Sequence, residues 1–190
     1  MRGRHRLAVM SGVLGLLLAP VLSGCDGSAE PQPLPRPTAS LSPSSASPSP
    51  TPPVLLAAAK EKTKAGADAF VRHWVLALNY AGLSGDTTVL RELALPGCVK
   101  CGALADGIDK IYKDGGHLEG GGWTVVRTKH YGMRQGHYFL DARIDSAPQS
   151  LVPAEGAQEQ DFPGAKNRLR AFVLEPAAGG WKVSELDPAA

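Results

Sequence analysis

The sequence predicts an α+β domain in which N-terminal helices pack on one face of a curved antiparallel sheet. Two observations predict it: apolar residues recur every three or four positions from Lys60 to Tyr112, and the period drops to two after Gly115-Gly116. A third bounds it. Ahead of this region lies a stretch of Pro, Ser, Thr, Ala and Gly that cannot bury enough apolar surface to offset the entropy of ordering it.

Lys60 to Leu83 carries Ala67, Phe70, Val71, Trp74, Leu78 and Ala81 on one face and closes near Gly82 and Gly85, so it reads as a long amphipathic helix. Asp86 is the expected N-cap of a short second helix with Val89, Leu90 and Leu93, ended by Pro96-Gly97. A third helix is expected after the cysteine pair, with Leu104, Ile108, Ile111 and Tyr112 on one side. Strands are expected over Trp123 to Tyr131, His137 to Ile144, Leu169 to Glu175 and Trp181 to Leu186, with hairpin connections at Gly132 to Gly136 and Pro176 to Gly180. Ser146 to Ala165 reads as an irregular connection in which Leu151-Val152 alone hints at a further short strand. Gly120-Gly121-Gly122 lacks the following Lys-Ser/Thr and helix of a phosphate loop, and reads as a turn or bulge that starts the sheet.

The N-terminus is of a different kind. Arg2, Arg4 and Arg6 precede an apolar run from Leu7 to Leu18, followed by Leu22-Ser23-Gly24-Cys25. A charged start, a short apolar stretch and a small-residue cleavage site define a secretory signal, and a cysteine directly behind that site offers a thiol for acylation. The apolar run is about a dozen residues long, short of the roughly 20 that a spanning helix needs. Residues 1–24 are therefore expected to be a lipoprotein signal peptide, Cys25 the lipidated first residue of the mature chain, and residues 25–53 a disordered tether. Proline stiffens such a tether, which at about 3.1 Å per residue reaches at most about 85 Å. Residues 54–190 form the expected globular domain.

Of the 20 Lys and Arg, Arg2, Arg4 and Arg6 leave with the signal, so the chain from Cys25 carries 17 against 18 Asp and Glu, a net charge of −1. With no basic excess, nucleic acid is not an expected partner. The expected membrane partner is reached through the lipid.

With Cys25 assigned to lipid, Cys98 and Cys101 remain as an even pair in an oxidising compartment. A structural disulfide is the leading reading. A redox-active pair is disfavoured because the motif lies between helices rather than after a strand, and zinc because no second ligand pair stands at metal spacing. No cofactor and no metal are expected. His130 and His137 flank the first hairpin, and pairing across it would bring them together. Tyr138 and Asp141 are three apart on one strand and so should point to opposite faces, which argues against a catalytic pair.

The order of elements resembles the cone-shaped fold of the nuclear transport factor 2-like superfamily, with a cystatin-like arrangement as the alternative. A cone of that kind often holds a pocket between sheet and long helix, which Phe70, Trp74, Tyr80, Trp123, Tyr138 and Trp181 could line. The same aromatics could equally fill the core of a domain this small.

Particular residues carry a closer likeness: Ala69-Phe70-Val71-Arg72, Leu78-Asn79-Tyr80-Ala81, Gly85-Asp86-Thr87, the Cys98 to Cys101 pair, Ile111-Tyr112 with Gly115-Gly116, and Gly121-Gly122-Trp123. From about Val54 onward the chain resembles an actinobacterial lipoprotein family known as domain of unknown function 6318. That resemblance implies compartment, disulfide and domain extent, and brings no activity with it. The sequence thus points to a lipid-anchored protein on the outer face of the cell membrane, whose non-enzymatic domain binds an envelope protein or a small apolar ligand. A pocket enzyme of isomerase or dehydratase type and a structural dimerisation module are the alternatives.

Overall fold

A computed structural model describes residues 49–188. The signal, Cys25 and residues 26–48 of the tether lie outside the described residues. After a 3-10 turn at Ala57–Lys60, helix α1 runs over Lys64–Ser84. Thr63 caps its start by accepting a hydrogen bond from the Gly66 amide at 3.0 Å, and Gly85 ends it in the left-handed region with φ of 76°. A side chain is disfavoured at Gly85 twice over, by that φ and because a Cβ would fall 2.5 Å from the Tyr112 ring.

Helix α2 spans Thr88–Glu92 and α3 spans Val99–Lys113. Two expectations shift here. Asp86 stands one residue before the Thr87 cap position, with its Oδ1 accepting from the Thr88 amide at 3.0 Å. The third helix does not wait for the cysteine pair to end: Cys98 is its N-cap and Cys101 lies in its first turn.

The strands are β1 (His117–Gly120), β2 (Trp123–Arg134), β3 (His137–Ser146), β4 (Gln149–Val152), β5 (Gln160–Phe162), β6 (Ala165–Ala177) and β7 (Gly180–Pro188). They form two antiparallel sheets, one of order β2-β3-β6-β7 and a smaller one of order β1-β4-β5. The larger sheet is the expected one, with strands longer by one to four residues at their ends and turns cut to two residues, since Arg134 pairs with His137 and Ala177 with Gly180. The smaller sheet was legible only as Leu151-Val152. Register shifts at Val125/Arg127, His130/Gly132, Ile144/Ser146 and Val173/Leu174 bend the larger sheet around α1.

The core lies between α1 and that concave face. Phe70, Val71 and Trp74 of α1 meet Leu140, Ala142, Phe172, Leu174 and Val183 of the sheet, all fully or nearly fully buried. Trp74 stands edge-on to Phe172 with ring centres 5.4 Å apart. The segment after α2 returns to the sheet: the Leu95 amide donates to the Val183 carbonyl and the Val183 amide to the Leu93 carbonyl, each at 2.9 Å, clasping the outer edge of β7. Among the described residues no helix is long and apolar enough to cross a membrane.

Candidate functional site

Three elements leave a hollow where α3 stands off the mouth of the sheet. Its walls are Ala103 and Leu104 of α3, Trp123 at the start of β2 and Leu186 of β7, with Lys100 and Arg170 at the rim and a cavity of about 340 Å³. A second hollow of about 150 Å³ shares Leu104 and Trp123 and continues toward Leu78, Leu83, Ile108 and Leu118. Trp123 thus divides one groove between α1, α3 and the sheets.

Why Trp123 sits there is a matter of local chemistry. The three preceding glycines have φ of 63°, 75° and 105°, so the chain reverses from β1 into β2 through conformations that larger residues avoid. The Asn79 side chain of α1 then binds the tryptophan backbone twice, accepting from its amide at 2.8 Å and donating to its carbonyl at 2.9 Å. The indole is held in place and half exposed. Arg170 lies over it with the guanidinium carbon 5.4 Å from the ring centre, and makes no ion pair among the described residues. Tyr112 donates to the Gly82 carbonyl at 2.7 Å and so fixes α3 against α1.

At the head of α3, Cys98 and Cys101 are joined by a disulfide, with sulfurs 2.04 Å apart. Both are buried, and Lys100 within the bridged loop faces the groove.

The aromatics weighed as pocket lining part company. Trp123 borders the groove, whereas Phe70, Trp74, Tyr138 and Trp181 are buried in the core. Tyr80 donates to Asp86 at 2.9 Å, away from the groove. The remaining walls, Ala103, Leu104, Arg170 and Leu186, carried no motif, and only the helical spacing of Leu104 gave any signal.

His130 and His137 do not meet. His130 lies opposite Leu140 and His137 opposite Arg134, and each turns to other partners. His137 Nδ1 stands 3.3 Å from Glu175. His130 joins a chain of bonds from the sheet to α1: its Nδ1 lies 3.1 Å from the Tyr138 hydroxyl and its Nε2 3.0 Å from Thr128 Oγ1, which donates to Asp68 at 2.5 Å. Burial pushes the His130 imidazole below its ordinary value, helped by Lys64 and opposed by Asp68. Tyr138 and Asp141 do occupy opposite faces, the first against His130 and the second accepting from Tyr131 at 2.6 Å. Among the described residues no three His, Cys, Asp or Glu side chains are grouped to hold a metal ion.

The chain belongs to a family of unknown function, DUF6318, whose pattern matches residues 37–187. No curated protein matches it. Among solved structures it is similar to the intermembrane-space region of chloroplast protein ARC6, at 13% identity and a TM-score of 0.49 over 68% of this chain and 98% of that one. It is also similar to a putative aromatic ring hydroxylase from Novosphingobium aromaticivorans, at 8% identity and a TM-score of 0.43 over 61% and 82%. A third is an uncharacterized protein with a cystatin-like fold from Caulobacter vibrioides, at 13% identity and 0.41 over 63% and 83%. Likenesses at this level carry nothing about what the chain binds.

Proposed function

We propose that the protein is a lipid-anchored envelope protein whose domain binds a small, mostly apolar ligand carrying one acidic group, held in the groove beside Trp123. One observation carries the ligand reading. An indole fixed by Asn79 and covered by the unpaired Arg170 guanidinium forms one side of a cavity whose other walls are Ala103, Leu104 and Leu186. Apolar walls with a few charged groups at the rim, here Arg170 and Lys100, are the usual composition of a small-molecule site. The anchor reading rests on the signal-like N-terminus and on Cys25, and the tether would hold the groove clear of the bilayer.

Decanoic acid and decanol separate the two parts of the ligand reading. The acid should quench or shift the Trp123 emission on titration, and Trp123→Ala should abolish the change in a chain that still unfolds cooperatively, at a midpoint lowered by the lost packing on the core. Arg170→Gln should weaken the acid by roughly 10–100-fold, the worth of one hydrogen bond to a charged group, while leaving the alcohol unaffected. Absence of any response to either probe would refute the site. For the anchor, intact mass of the protein expressed in a host with lipoprotein processing should show a lipid increment that Cys25→Ala removes. An unmodified, freely secreted wild type would contradict it.

A further inference from the structure

The face of the larger sheet turned away from the helices bears a charge arrangement that the groove does not use. On β3 the buried residues Tyr138, Leu140, Ala142 and Ile144 alternate with Asp141 and Arg143, which therefore point outward. Across the ladder, Arg127 is the register partner of Arg143, and Lys129 that of Asp141. Two guanidiniums thus face one another directly across a strand pair, a placement that costs stability in the absence of a counter-charge.

One carboxylate, Asp141, borders the same hollow; a second, Asp145, is engaged outside it. Asp141 accepts from the Tyr131 hydroxyl at 2.6 Å, and Asp145 from Lys166 at 3.0 Å and the Asn167 amide at 2.9 Å. Arg143 gives one nitrogen to the Asn167 carbonyl at 2.9 Å, and Lys129 lies over the Tyr131 ring at 5.0 Å. Among the described residues neither arginine nor Lys129 has an ion-pair partner. The three cations and the single Asp141 carboxylate border one cavity of about 550 Å³, which leaves it a net positive charge.

We infer that this hollow is an oxyanion site for a phosphate group, gripped between Arg127 and Arg143 with Lys129 beside it. Paired guanidiniums present planar forks of donors that match tetrahedral oxyanions. A bound phosphate would convert the repulsion between the two arginines into attraction to a shared anion. Arg127 owes its aim to the bulge at Val125/Arg127, which resets the register of β2 one residue before it.

Thermal unfolding of the whole chain in sodium phosphate and in sodium chloride, at matched ionic strength and pH 7, tests the site. Phosphate should raise the midpoint more than chloride does, and Arg127→Gln should shrink that difference to the general effect of an excluded salt, as sulfate gives it. In chloride alone Arg127→Gln should itself raise the midpoint, by about 1–2 °C, because one member of a like-charged pair is gone. Arg134→Gln, at the far end of the same strand and outside the hollow, should respond to phosphate as the wild type does. Equal midpoints in phosphate and chloride, or an undiminished phosphate response in Arg127→Gln, would overturn the inference. Glycerol phosphate and tripolyphosphate then distinguish the source: tighter binding of the first points to a headgroup, of the second to a chain of phosphates. Decanoic acid binding by Arg127→Gln should match the wild type, so this site and the groove stand or fall separately.

Discussion

Two side chains of α1 and its cap show how unevenly single residues bear on this fold. Gly85 accepts a side chain only at a cost, since alanine there would hold a strained backbone conformation and meet the Tyr112 ring at 2.5 Å. Gly85→Ala should therefore destabilise by about 1–3 kcal/mol, measured as a lower urea midpoint. Trp74 is fully buried, yet its indole N–H finds no acceptor among the described residues. An unpaired buried donor is costly, so Trp74→Phe loses volume and relieves desolvation together. Its net change should stay within about 1 kcal/mol, whereas Phe70→Ala should cost about 3–5 kcal/mol by the same denaturation series. Trp123 stood out in the sequence as an aromatic at a strand start. Its partner Arg170 did not, because their contact depends on where β6 passes the mouth of the sheet. The facing arginines were hidden for a related reason: register across β2 and β3 passes through a bulge that no residue pattern announces.

At the scale of elements, α1 is tied to the sheet by polar bonds as well as by the core. With Thr128 donating to Asp68 and accepting from His130 Nε2, the imidazole is left to accept the Tyr138 proton at Nδ1, and every group is satisfied while the ring is neutral. Protonation removes that acceptor. Burial alone pushes His73, on the same helix, below its ordinary value. In both cases the unfolded chain takes up the proton more readily, so stability is full above about pH 6.5 and falls as the pH drops through the folded-state values. Asp68 extends the loss at lower pH. Burial would raise its carboxyl, but the bonds from Thr128 and Arg72 outweigh this and hold it below the carboxylate range. The urea midpoint at pH 5.5 should accordingly lie below that at pH 7.5, and His130→Gln should shrink the difference.

The disulfide acts on one element as well. Closing so short a loop contributes about 2 kcal/mol in the chain-entropy account. Reduction should lower the unfolding free energy by that amount, read from the urea midpoint and slope, and speed amide exchange in the first turn of α3, where Lys100 meets the groove. The periodicity of α1 and α3 and the alternation of β3 made these elements legible. Strands β1 and β5 were not, being four and three residues long with no alternation to mark them. They exist because β4 gives them a ladder to join.

For the molecule as a whole, an open sheet has two outer strands, and each is a template for further pairing. Here β7 is the outer strand on one side, and the backbone after α2 occupies its hydrogen-bonding groups at Val183. That clasp matters beyond the fold of one chain. Leu95→Pro would delete the amide that meets the Val183 carbonyl and bare a stretch of β7 to neighbouring copies. The expected outcome is a monomer at low concentration that converts to thioflavin-positive assemblies at high concentration, while the wild type stays dispersed under size-exclusion chromatography. If acyl chains confine many copies to one leaflet, the short run from Leu93 to Leu95 keeps this one edge of each copy from pairing with the next.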